Sequence, residues 1–202
     1  MTDVLYRLIA RLYHVVADYK YRARIRVLIA RGLVIGKNVT ISASAYIDST
    51  YPYLVRIGDN CSLAEHVRVF AHDATTFKFT NGHTRLGKVV INDDCFIAER
   101  AIILPGVEIG PNVLVAAGSV VNRDIPPNSC VAGVPARVYA KFDRFIEKHW
   151  NQIQEGTVFE YSDLPLNPSK QIKAQVWQSI QNDGYAYKRG RAGRDPFTWN
   201  VV

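Results

Sequence analysis

The chain has 202 residues, room for about one domain with appendages. Hydrophobic residues make up 48% and charged residues 21% of it, an ordinary globular balance that excludes disorder and collagen-like repetition. Twenty-five Lys and Arg against eighteen Asp and Glu leave a formal charge of +7 and a pI near 9.4, which suits an anionic partner: a phosphate-bearing ligand, nucleic acid or a lipid surface.

Residues 3–31 carry Val4, Leu5, Leu8, Ile9, Leu12, Val15, Val16 and Tyr19 at helical spacing, with Arg7, Arg11 and Lys20 elsewhere. That pattern predicts an amphipathic helix. Packing on the rest of the chain or on a neighbouring subunit is the preferred reading; lying on an anionic membrane surface is the alternative. The cations interrupt the segment too often for a secretory signal, and no apolar run is long enough to span a bilayer. A cytoplasmic location is expected, with peripheral membrane contact through 3–31 kept open. The expected organisation is a helical leader at 1–34, a repeat region at 35–138 and a C-terminal part at 139–202.

The repeat region keeps a six-residue period. Ile91, Ile97, Ile103, Ile109, Val115 and Val121 are six apart without a break, and Cys95, Ala101, Val107, Val113, Ser119 and Ile125 follow each by four. An earlier block has Ile35, Ile41 and Ile47, then Ile57, Leu63 and Val69. Six fits neither a helix nor plain alternation; it fits short flat strands joined by corners, each turning an aliphatic residue inward. The period breaks twice. Four extra residues separate Ile47 from Ile57, and the gap from Val69 to Ile91 predicts an ejected loop at 75–89. Such loops commonly carry function. Cys61, Cys95 and Cys130 form no CxxC and are read as buried thiols in a reducing compartment.

Beyond the Pro126-Pro127 turn and a short crossing strand, residues 139–154 (YAKFDRFIEKHWNQIQ) predict a helix. The remainder to Val202 is aromatic, punctuated by Pro and Gly, with a basic run at Lys188, Arg189, Arg191 and Arg194.

Residues 104–141, above all Ala117-Gly118-Ser119, Asp124-Ile125-Pro126-Pro127 and Ala132-Gly133-Val134-Pro135-Ala136-Arg137, resemble the final coils of hexapeptide-repeat acetyltransferases that use acetyl-CoA. The resemblance implies an all-β solenoid. It would be a left-handed parallel β-helix of eighteen-residue triangular coils, with an N-terminal helix and a C-terminal helix plus extension. It also implies a homotrimer with CoA in the clefts between subunits, and a histidine near the protruding loop as general base. His72 matches that histidine. Acyl transfer needs a base within reach of the acceptor proton, and histidine is the side chain suited to neutral operation. His83, in the loop, is the second candidate; Asp73 is a candidate to orient His72 or touch the substrate. For CoA, matching picks out Ala98, Glu99, Ala117, Asn122, Arg123 and Arg137, the arginines suiting its phosphates. The chain departs from the family in Phe96, Ala98 and Glu99.

The short leader points within that family to acetyl transfer onto a hydroxyl or amine of a sugar, free or carried on a nucleotide or lipid, in surface-polysaccharide assembly. Antibiotic or xenobiotic acetylation and a silent scaffold are the alternatives. A zinc-dependent carbonic anhydrase of the same architecture is disfavoured, since His66 and His72 lie one hexad apart on different faces. No metal and no nucleic acid are expected.

Overall fold

The structure is a computed structural model that describes residues 21–160, 162, 164 and 168–189. Residues 3–20 of the expected leader helix, and Arg191 and Arg194 of the basic run, lie outside the described residues. The described chain divides between Phe142 and Asp143 into two compact units.

The first unit opens with helix α1 (residues 21–30), which stops at Gly32 in the left-handed backbone region (φ +99°). Tyr21, Ile25 and Leu28 fall on one face at helical spacing and are buried. The Tyr21 hydroxyl donates to the Ile41 carbonyl and Arg24 to that of Ala45, while Arg31 donates to Ser49 (2.6 Å) and Thr50 (3.2 Å). The helix thus covers the first turn of the repeat and satisfies carbonyls that an open end would leave bare.

Short strands, all but one of two or three residues, then build three parallel sheets. The first holds β1 (Val34–Ile35), β4 (Val55–Ile57), β9 (Val89–Ile91) and β12 (Glu108–Ile109). The second holds β2 (Thr40–Ile41), β5 (Ser62–Leu63), β10 (Phe96–Ile97), β13 (Val113–Val115) and β15 (Ser129–Gly133). The third holds β3 (Tyr46–Ile47), β6 (Arg68–Val69), β11 (Ile102–Ile103) and β14 (Val120–Val121). The chain visits them in rotation, so each circuit lays one rung on the last.

The register follows the hexads. Ile35, Ile57, Ile91 and Ile109 pair in sequence on the first sheet; Ile41, Leu63, Ile97, Val115 and Val131 on the second; Ile47, Val69, Ile103 and Val121 on the third. Residues two positions earlier, such as Val55, Val67, Val89 and Ala101, also point inward and are fully buried, as strand alternation requires. Each buried Val, Leu or Ile side chain contributes about 1.5–3 kcal/mol.

Corners between the first two sheets need a residue at positive φ, and Asn38, Asn60, Asp94, Asn112 and Asn128 supply it, being the side chains that tolerate this region best after glycine. They also form a ladder, Asn38 to Asn60 (3.1 Å) and Asn60 to Asp94 (3.0 Å). His66 is a corner residue of the same kind (φ +57°) between the second and third sheets.

Both interruptions lie at the corner from the third sheet to the first. The four extra residues form a 3-10 turn at Pro52–Leu54. The larger insertion leaves through β7 (His72–Asp73) and returns antiparallel through β8 (Arg85–Leu86). It ends before the expected residue 89: Val89 opens β9 and is fully buried, because it is the inward position of the next hexad.

After β14 the coil is closed by β15 and by β16 (Ala136–Lys141), which pairs back antiparallel. Residues 139–141, expected to be helical, belong to β16, where Ala140 pairs with Cys130 and Lys141 with Ser129. All three cysteines are buried free thiols.

The second unit contains α2 from Asp143 onward (the helix spans Phe142–Glu155), β17 (Thr157–Phe159), α3 (Lys170–Asp183) and β18 (Ala186–Lys188), with β17 and β18 paired in parallel. Helix α3 was not expected from the sequence. Ser169 caps it by accepting from the Ile172 N–H, and Gly184 ends it at φ +76°. Among the described residues no helix is long and apolar enough to cross a membrane.

Candidate active site

Asp48 follows inward Ile47 where the chain leaves the third sheet for the four-residue insertion. Its side chain has no solvent exposure, yet four donors converge on it. Oδ1 accepts from the N–H groups of Thr50 (2.9 Å) and Tyr51 (3.1 Å); Oδ2 accepts from the Ala71 N–H (2.8 Å) and meets His72 Nδ1 at 2.5 Å. Burial alone would push this carboxyl up, but the Ala71, His72, Tyr51 and Thr50 hydrogen bonds outweigh it and hold it below the usual range. An ionised carboxylate only accepts, so His72 Nδ1 is the donor and carries the proton. That assignment leaves Nε2 with its lone pair open to accept. His72 is 27% exposed, and Tyr51 sets its ring edge-on, centroids 5.3 Å apart.

Beside this pair lies a cavity of about 530 Å³, lined by Phe70, His72, Asp73, Thr75, Arg85, Leu104, Pro105 and Asn122. The rungs explain the grouping. Asp48, Phe70, Leu104 and Asn122 each follow an inward residue of the third sheet and stack through bonds to Val69, Ile103 and Val121 carbonyls. The stem of the insertion adds His72, Asp73 and Arg85 to the same corner.

His72 therefore stands in the cavity, and the carboxylate that orients it is Asp48, not Asp73. Asp73 is turned to its own loop: Oδ1 accepts from the Thr75 N–H (2.8 Å) and from the Thr75 hydroxyl. Those two bonds, the hydroxyl's first, hold the Asp73 carboxyl below its usual range. His83 is exposed and its Nδ1 is bonded to the Thr80 carbonyl within the loop; it does not line the cavity.

Of the residues matched to CoA, Asn122 lines the cavity, with Arg123 next to it in the chain and exposed. Ala98, Glu99 and Ala117 belong to the opposite border of the third sheet, where Glu99 pairs with Arg100 (3.1 Å) and its carbonyl accepts from the Gly118 N–H. Arg137 is on β16, donating to the Ala136 carbonyl (2.8 Å). One chain therefore splits this set between two edges. Among the described residues no three His, Cys, Asp or Glu side chains converge as metal ligands would.

Sequence reasoning missed Asp48, Tyr51 and Arg85. The available signal for Asp48 was a carboxylate placed where its rung mates are Phe70, Leu104 and Asn122, at the start of an insertion.

Residues 88–123 match the bacterial transferase hexapeptide (six repeats) family model. The galactoside O-acetyltransferase of Escherichia coli is 36% identical over 122 residues, 57% of this chain and 59% of that protein. The serine acetyltransferase of Bacillus pumilus is 31% identical over 142 residues, 70% of this chain and 59% of that protein. The chain thus spans about six tenths of the length of these curated relatives. A maltose O-acetyltransferase from Clostridium difficile, a solved structure, aligns at a TM-score of 0.46 and 28% identity, over 60% of this chain and 75% of that one.

Proposed function

From the chain's similarity to hexapeptide-repeat acetyltransferases, we propose that it moves an acetyl group from acetyl-CoA to a hydroxyl or amine of a sugar, in the assembly of a surface polysaccharide. The observation that carries the reading is the Asp48–His72 pair at the mouth of the cavity. Nε2 takes the acceptor proton as the acceptor attacks the thioester carbon, and later returns it to the departing CoA sulfur. Asp48 holds the ring in the tautomer that can accept and stabilises the imidazolium between those two transfers. A sugar is favoured over other acceptors because the Escherichia coli relative is named for galactosides.

The split of the CoA-matched residues between two edges suits a cleft shared by two copies, one giving the His72 edge and the other the Ala98 and Ala117 edge. We take the assembly to be a homotrimer of left-handed coils working in the cytoplasm, where acetyl-CoA is made. Ring closure then gives three equivalent clefts. Light scattering should return about three times the 22.7 kDa chain mass; an active monomer would overturn the shared cleft. The reaction itself is tested by CoA release against a panel of sugars, nucleotide sugars and aminoglycosides. Turnover confined to the aminoglycosides would replace the sugar reading with a xenobiotic one.

A further inference from the structure

Arg85 has no part in the proton transfer, yet it lines the same cavity as His72. It sits on β8 directly across from Asp73, so the hairpin stem fixes its backbone relative to the base. Its cross-strand neighbour Asp73 has Oδ1 committed to Thr75 and makes no contact ion pair with it. Asp73 therefore attracts the Arg85 charge only from beyond contact distance, which helps to hold that carboxyl low, and leaves the guanidinium donors for the cavity.

The surrounding charge points the same way. Residues 74–92 contain Lys78, Arg85 and Lys88 and not one Asp or Glu. Lys88 is held by Glu108 at 3.8 Å, away from the cavity lining. The cavity wall otherwise consists of Phe70, Leu104 and Pro105, with the Asn122 amide and Thr75 as neutral polar groups and Asp73, tied to Thr75, as its one carboxylate. An apolar wall with a fork of donors at its rim is built for a ring that carries an oxyanion. A neutral sugar would leave the guanidinium without a matching acceptor.

We propose that Arg85 reads a phosphate or carboxylate on the acceptor, so that the substrate is an acidic sugar whose charged group lies close to the hydroxyl or amine presented to His72. This rests on the transferase reading given above. The assignment separates two tasks at one corner: His72 acts on the nucleophile, and Arg85 selects which molecule brings it.

The test measures CoA release by the full chain with matched acceptors: N-acetylglucosamine against its 1-phosphate, and glucose against glucuronate, the two pairs separating phosphate from carboxylate. The wild type should favour the charged member of at least one pair by about 10–100-fold in kcat/KM, the span of one charge-assisted contact. Arg85→Gln should erase most of that preference through KM for the charged acceptor, and Arg85→Lys should keep part of it. Calorimetric affinity for acetyl-CoA verifies the fold of each variant. Equal use of charged and neutral acceptors by the wild type, or an equal loss on both in Arg85→Gln, overturns the role of Arg85 alone. A wild type that binds acetyl-CoA but acetylates none of the four overturns the sugar reading and this inference together.

Discussion

Asp48→Asn is the most informative single change, because all four partners of this carboxylate are donors. An amide can satisfy only one of its two sides. If its oxygen keeps the Thr50 and Tyr51 N–H groups, its NH₂ faces the Ala71 N–H and His72 Nδ1. The imidazole can escape by accepting at Nδ1, which moves its proton to Nε2 and removes the base. The Ala71 N–H cannot escape and is left buried without an acceptor. The first consequence should lower kcat by about 10²–10⁴-fold, the range seen when a His–carboxylate pair loses its carboxylate. The second should cost about 1–3 kcal/mol of stability. Initial rates of CoA release at saturating acceptor, alongside thermal melting, read the two separately, and acetyl-CoA affinity should hold. The stability gap also has a pH signature. A carboxyl held below its ordinary value adds stability that is present above the unfolded pKa, about 3.9, and is lost as pH falls through the folded one. The wild type and Asp48→Asn should therefore converge in stability below about pH 4. A folded Asp48→Asn with kcat within about threefold of wild type would refute the assignment of tautomer and base.

His72→Ala should cost about 10²–10⁴-fold in kcat with acetyl-CoA affinity retained, whereas His83→Ala should touch acceptor KM at most; a reversed result in the same assay would move the base to the loop. Arg123→Ala and Arg137→Ala should each weaken acetyl-CoA by about 1–3 kcal/mol, read as a larger rise in KM for acetyl-CoA than in KM for acceptor. Gly58→Ala would set its Cβ 2.3 Å from Asp93 Oδ1 and 2.8 Å from its backbone N; melting should show a loss of about 1–3 kcal/mol with the site chemistry unchanged.

The hexad clock was legible because each rung asks for the same thing at the same place. An inward position between two packed neighbours accepts aliphatic side chains and little else, so Ile57, Ile91 and Ile109 announce their column before any register is known. Corners were less visible, since Asn60, Asp94 and Asn112 are common polar residues until their shared positive φ is seen. Helix α3 escaped because its stripe is thin: Ile172, Val176 and Ile180 are separated by Lys, Ala, Gln, Trp and Ser, and Ser169 marks its start more clearly than any apolar run. Val89 reads as loop in the sequence because a valine at a loop's end and a valine opening a strand look alike in one dimension. His72 is singled out in the sequence by its family context; Asp48 is not. Its link to His72 spans twenty-four positions, and only the pairing of Ile47 with Val69 shows that Asp48 lies beside Phe70, one rung away.

That link also explains why the site is where it is. Inside an unbroken hexad the inward residues are committed to the core, the corner residues to turning the chain, and the outward residues to a flat face. Acid–base chemistry needs a buried carboxylate, a half-exposed imidazole and a cavity, none of which an unbroken rung supplies. Both breaks in the period fall at one corner, on successive rungs: the turn after β3 and the hairpin after β6. The first break gives Asp48 its Thr50 and Tyr51 donors, and the second carries His72, Asp73 and Arg85 out over the Leu104 and Asn122 rungs. Neither suffices alone, because a lone carboxylate would be buried without His72 and a lone imidazole would have no fixed tautomer. Two insertions stacked at one corner are therefore the arrangement by which a repeat built for packing acquires this candidate site without giving up its core.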